Sequence, residues 1–275
     1  MSLLGAAEIR ELAEKLDLHP SKSLGQNFVH DGNTCRKIVK IADVRESDIA
    51  LEVGPGLGSL TLELLDKAQQ VIAVEIDPRL AHELPITVAR HSQNAEHLTV
   101  INSDALTVEH LEVSPTVLVA NLPYNVSVPV LLHLLEIFPS LQRGVVMVQA
   151  EVADRLAATP GGKDYGAPSA KAAWWADLQI AGLVSRSIFW PVPNVDSKLI
   201  SFHRHQPLGD ESARKATFAI IDAAFAQRRK MLRSALASIL GERCEEIIST
   251  AGVDPTLRGE ALTIHDFYSI AQAQR

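Results

Sequence analysis

Five short apolar runs, residues 48–54, 71–76, 98–101, 117–122 and 144–148, recur along the first 150 residues of this chain. Most are separated by stretches of helical period such as 57–67 and 128–137. A strand of alternating polarity can leave one face in water, whereas a continuously apolar strand must be covered on both faces. Such runs alternating with helices predict a parallel sheet sandwiched between helices and joined by right-handed crossovers. After Phe189-Trp190-Pro191-Val192-Pro193, residues 195–203 alternate as a late strand expected to pair antiparallel with 178–187. Residues 205–210 are rich in turn formers, and beyond them the period is helical over 213–226, 229–240, 242–251 and 264–273. The expected organisation is an α/β domain over residues 1–206 and a small all-α domain over 207–275.

Several classes of protein are set aside on composition and spacing. No apolar run approaches the roughly 18 residues that span a bilayer. The first segment has an amphipathic pattern broken by Glu8, Arg10, Glu11 and Glu14, unlike the uninterrupted centre of a secretory leader. A cytoplasmic protein without membrane contact is expected. Cys35 and Cys244 lie far apart and form no redox or metal motif, so two free thiols are expected. Among ten histidines only His203-x-His205 has a ligand-like spacing, and no metal site is expected. The formal charge of −7 opposes nucleic-acid binding only on average. Arg228, Arg229, Lys230 and Arg233 concentrate four cations in six residues without an acid, and local potential governs an encounter with phosphate.

The first run ends in Gly54-Pro55-Gly56-Leu57-Gly58, immediately before a helical stretch. In an open parallel sheet ligands bind beyond the carboxyl ends of the strands, and glycines there admit a ligand against bare backbone. The GxGxG spacing differs from the dinucleotide GxGxxG, and no Lys-Ser/Thr follows to make a phosphate loop. Glu75, at the end of the second run, can accept bonds from two ribose hydroxyls. Asp104, after the third, can accept from an adenine amino group or cap a helix at Ala105. Asp77, before Pro78, reads as a helix cap.

Asn121-Leu122-Pro123-Tyr124 ends the fourth run. An aromatic amine is a poor nucleophile because its lone pair is delocalised into the ring. Hydrogen bonds accepted from its two N–H groups, by the Asn121 side-chain oxygen and the backbone carbonyl of Leu122 or Pro123, localise and aim that pair. Tyr124 offers a face for stacking, and the proline-fixed backbone limits relaxation of the acceptors. With the glycine turn, this points to methylation of a nucleobase amine by S-adenosylmethionine. Trp174-Trp175 reads as packing rather than base stacking.

On these segments the chain resembles the KsgA/Dim family of ribosomal RNA adenine dimethyltransferases, almost end to end. The resemblance extends to Leu24-Gly25-Gln26-Asn27-Phe28, to Gln149-Ala150-Glu151-Val152-Ala153-Asp154-Arg155-Leu156, to Pro191-Val192-Pro193-Asn194-Val195-Asp196-Ser197 and to Phe225-Ala226-Gln227-Arg228-Arg229-Lys230. It implies a Rossmann-like class I methyltransferase domain, with a seven-stranded mixed sheet, and a helical C-terminal domain. The implied reaction carries methyl groups from S-adenosylmethionine to N6 of two adjacent adenosines near the 3′ end of 16S rRNA in the small ribosomal subunit. The resemblance further implies that Asn27 and Val29 line the cofactor pocket, that Phe189 stacks opposite Tyr124, and that Arg228, Arg229, Lys230 and Arg233 contact RNA. A monomer is expected. Ala150 stands where the family usually has lysine, and Ser103 where it usually has glycine. Alternative readings are a 23S rRNA adenine methyltransferase of antibiotic-resistance type, a binder that checks ribosome assembly, and, more remotely, an NAD oxidoreductase.

Overall fold

Each of the five apolar runs is a strand in the computed structural model, which describes residues 3–18 and 27–274. In chain order the elements are α1 (Ala6–Lys15), β1 (Phe28–Val29), α2 (Gly32–Ile41), β2 (Ile49–Val53), α3 (Ser59–Leu65), β3 (Gln70–Glu75) and α4 (Pro78–His91). They continue with β4 (Leu98–Asn102), β5 (Val117–Asn121), α5 (Ser127–Ile137), β6 (Arg143–Gln149), α6 (Ala150–Leu156), α7 (Ala167–Ala172), β7 (Ala176–Val184), β8 (Phe189–Trp190) and β9 (Ser197–Arg204). The last five helices are α8 (Glu211–Ala226), α9 (Leu232–Ala235), α10 (Ala237–Leu240), α11 (Cys244–Thr250) and α12 (Ile264–Ala273).

Seven strands form one sheet in the order β4-β3-β2-β5-β6-β9-β7. β2 to β6 pair in parallel, and β9 runs antiparallel to β6 from Arg143↔His203 to Gln149↔Ser197. The order reverses at β2, which lies between β3 and β5. The carboxyl ends of β2, β3 and β5 therefore open a crevice at the switch point. Burial follows the apolar runs: Val117 to Ala120 and Val145 to Val148 are wholly buried, while the edge strand β4 is only partly covered. A separate ribbon pairs β1 with β8, Phe28 opposite Trp190 and Val29 opposite Phe189.

The chain divides into two compact units, Met1–Ala153 with Gln179–Arg204 and Asp154–Leu178 with His205–Arg275. The sequence pattern placed a single break after residue 206, whereas the structure groups residues 154–178 with the helices that follow. The reason is aromatic. Trp174 meets Phe218 and Tyr268 edge-on at 6.2 and 5.8 Å, and Trp175 meets Phe218 at 5.4 Å. Both tryptophans are buried, as packing requires. The continuous helix expected over 229–240 is instead two short ones. The Leu232 and Arg233 amides donate to the carbonyls of Leu257 and Pro255, so they are diverted from helical bonding at the start of α9.

Candidate active site

β2 stops at Val53 because Gly54 and Gly56 take left-handed conformations, φ +67° and +58°, that side chains rarely adopt. A Cβ at Gly56 would also lie 2.9 Å from the Phe28 ring. The turn is tied to the next strand: Gly54 donates to the Val74 carbonyl at 2.9 Å, and Gly56 donates to Glu75 Oε2 at 3.1 Å. Glu75 ends β3 with 4% of its surface exposed, and its Oε1 accepts the Asp77 N–H at 3.0 Å. Burial raises the affinity of this carboxyl for its proton, against the opposing effect of its backbone N–H donors. Asp77 is the cap of α4, accepting from Arg79 N. Asp104 is exposed and caps a single 3₁₀ turn, Ala105–Thr107, through the Leu106 N–H at 2.9 Å.

These groups line one concave cleft at the switch point, the place where an open α/β sheet takes its ligand. Asn27, Val29, Gly54, Gly56, Glu75, Asp104, Asn121 and Pro123 all reach it. Asn121 ends β5, where its Nδ2 donates to the Asn27 carbonyl at 3.1 Å. Its Oδ1 is buried and has no hydrogen-bond partner. Leu122 is buried and its N–H donates to the Met147 carbonyl. The Pro123 carbonyl accepts the Val126 N–H at 3.2 Å, closing the turn into α5.

Of the two rings expected at the target base, one sits elsewhere. Tyr124 does not line this cleft; its hydroxyl is bonded to Ser197 Oγ at 2.9 Å, and burial pushes the phenol's pKa up. Phe189 is 1% exposed within the apolar core, so the sandwich expected with Tyr124 is not formed. Pairing of β8 with β1 is what turns Phe189 inward and leaves Trp190 stacked on Phe28, at 6.4 Å and 18° between planes. One group that the residue pattern did not single out is Glu52, which lines the cleft while 1% exposed. Burial drives its pKa up to about 8, although the Thr61 hydroxyl donates to Oε2 at 2.7 Å. An ionisable residue inside an otherwise apolar strand was the available signal.

A family model described as ribosomal RNA adenine dimethylase matches residues 19–274. The chain belongs to that family. A similar relative is the ribosomal RNA small subunit methyltransferase A of Corynebacterium diphtheriae, 58% identical over 98% of this chain and 95% of its own length. A dimethyladenosine transferase from Plasmodium falciparum has the same fold, with a TM-score of 0.76 and 23% identity over 88% of this chain and 95% of the other. The 23S rRNA methyltransferase ErmE aligns at a TM-score of 0.68 and 27% identity, over 90% and 99% respectively. The dimethylase-family fold is the class I methyltransferase sheet described above. Of the first family segment, Leu24 to Gln26 lie outside the described residues.

In this member of the dimethylase family the basic segment departs from the single helical face expected for it. Arg229 and Lys230 lie in the turn before α9, so they share no helix with Arg233. The Arg228 guanidinium faces its own unit, with Nε on Glu260 Oε2 at 3.0 Å and its two terminal nitrogens on the carbonyls of Tyr165 and Lys163, both at 2.7 Å. Arg233 reaches Glu245 at 3.4 Å. Arg229 and Lys230 are exposed.

Proposed function

We infer that this chain transfers methyl groups from S-adenosylmethionine to N6 of two adjacent adenosines near the 3′ end of 16S rRNA in the small ribosomal subunit. The observation that carries this reading is Asn121 Oδ1, a buried acceptor without a donor on a residue that lines the cleft. Such an atom carries a desolvation cost unless a bound molecule supplies the missing N–H. The residues also fit the cofactor. Gly54 and Gly56 present bare backbone, the buried Glu75 carboxylate suits a ribose diol, and Asp104 retains acceptor capacity beyond its cap for an adenine amine. When bound, S-adenosylmethionine supplies an electrophilic methyl on a sulfonium.

The chain's own task is to make the target amine nucleophilic. Asn121 Oδ1 accepts one N6–H. The Leu122 carbonyl is the better second acceptor, because Pro123 O already serves the Val126 N–H. Two acceptors fixed by the strand end hold the nitrogen pyramidal and its lone pair aimed. The methylated nitrogen is strongly acidic, so no dedicated base is required. Tyr124, tethered to Ser197, stacks on the base. Phe189 joins from the other side only after leaving its core position. Arg229 and Lys230 contact RNA phosphates from the second unit. The protein acts as a monomer in the cytoplasm, and no helix among the described residues is long and apolar enough to cross a membrane.

The test is mass mapping of rRNA from small subunits that lack the modification, after incubation with protein and cofactor. Two methyl groups on each of two adjacent adenosines are expected. Modification of naked 23S rRNA fragments instead would favour the antibiotic-resistance alternative.

A further inference from the structure

The amide that accepts the target amine is itself held by a backbone group 94 residues away in sequence. An asparagine amide has two orientations, exchanged by a half turn about its last bond. One presents oxygen to the cleft and the other presents NH2. Only the first accepts from an amine. In the structure Nδ2 donates to the Asn27 carbonyl at 3.1 Å, and Oδ1 has no partner. Reversal would set oxygen against oxygen at Asn27 and leave no acceptor for the NH2, so this carbonyl alone selects the orientation.

The position of that carbonyl is fixed by the ribbon rather than by the main sheet. Asn27 precedes β1, which pairs with β8, and the His30 N–H extends the pairing to the Ile188 carbonyl at 3.0 Å. Trp190 stacks on Phe28 from within β8. Phe28 leans on Gly56, where a side chain would displace it. Ser59 Oγ, at the start of α3, donates to the Val29 carbonyl at 2.5 Å. These contacts hold β1 against both the glycine turn and β8.

We propose that the β1–β8 ribbon is a positioning element for catalysis, which sets the Asn121 amide in its accepting orientation through the Asn27 carbonyl, with Trp190 as the residue that keeps β1 in place. The inference rests on the role given to Asn121 above. Trp190 itself is outside the cofactor-lining residues, but Asn27, Phe28 and Val29 line the cleft. Loosening β1 therefore acts on cofactor binding as well as on the amide, and the two effects are separated by reading the methyl-transfer step at saturating cofactor.

The experiment is a double-mutant cycle read by single-turnover methylation of small subunits at saturating cofactor and substrate. Trp190→Ala should slow the methyl-transfer step about 10- to 100-fold, the scale of a misplaced reacting group. Saturation is verified from the cofactor Kd of each variant, and Trp190→Phe should restore most of the rate by keeping the stack. In an Asn121→Ala background the same Trp190→Ala change should cost less than about twofold, since effects routed through one group do not multiply. An equal loss in both backgrounds overturns the proposal. If Asn121→Ala itself leaves the step unchanged, the amine-accepting role fails first, and the two failures are thereby separated. A second measurement does not depend on any variant's folding. In wild-type protein, NMR should detect a scalar coupling across the hydrogen bond from Asn121 Nδ2 to the Asn27 carbonyl carbon. A freely exchanging Asn121 amide would also overturn the proposal.

Discussion

The cleft at the switch point and the basic segment of the second unit treat their polar groups in opposite ways. In the cleft, Glu52, Glu75 and the Asn121 oxygen are buried, and the last has no partner at all. Around residues 228–233 the charges are either exposed, as Arg229 and Lys230 are, or answered by neighbours, as Arg228 is by Glu260 and two carbonyls. A buried unsatisfied group is unfavourable to folding, and it persists only where something other than stability retains it. An exposed cation is nearly neutral for stability and carries little information by itself. A candidate for chemistry is therefore marked in the cleft by a single atom, whereas the basic segment offers no such mark.

That contrast is easiest to break at Asn121. Asn121→Ala is expected to lower kcat by about 100-fold or more, comparable to removing one preorganised polar group from a reacting centre. Cofactor affinity by calorimetry should be nearly unchanged, because the bond is made to the amine. Near-normal single-turnover methylation would show that the unpartnered oxygen has no catalytic use. Glu75→Ala should weaken S-adenosylmethionine binding by about 1.5–3 kcal/mol, the scale of charge-assisted hydrogen bonds. Titration with unchanged affinity would remove Glu75 from the cofactor site.

The basic segment should respond in two different ways. Arg228→Ala should lower stability by about 1–2 kcal/mol, since it removes three hydrogen bonds made by a half-exposed group. The unfolding midpoint in denaturant checks this, and lysine should be a poor replacement because it cannot reproduce the forked geometry. An unaltered midpoint would return Arg228 to the RNA. Replacing Arg229 and Lys230 by alanine should leave stability and cofactor affinity as they are. The slope of log affinity for subunits against log salt should flatten by roughly 0.7–0.9 for each phosphate that is no longer neutralised. A slope identical to wild type would mark both as solvated surface.

Elements with a strong period were readable from residue pattern alone. Residues 98–101 and 117–122 are β4 and β5 to within one residue, and 264–273 is α12. The places of the glycine turn and Glu75 at strand ends were equally readable, because they follow from local backbone conformation and strand period. Two-residue strands such as β1 and β8 have no period to detect. The Asn27–Asn121 bond and the inward turn of Arg228 depend on partners dozens of residues away. The helix expected over 229–240 failed for the same reason, its amides being claimed by Leu257 and Pro255. Phe189 was assigned by resemblance to a stacking role, and local pairing with Val29 puts it in the core.

The division of the chain has a consequence for the order in which the protein can be made. A ribosome releases β6, then residues 154–178, then β7, and only afterwards β9, the strand that lies between β6 and β7 in the sheet. Neither unit can close during the first two-thirds of synthesis. From their own synthesis until residues 218 and 268 emerge, Trp174 and Trp175 lack the rings that pack against them in the finished protein, Phe218 for both and Tyr268 for Trp174. A fragment cut after residue 206 would be left in that nascent condition permanently, with two large indoles facing water and a strong tendency to associate through them.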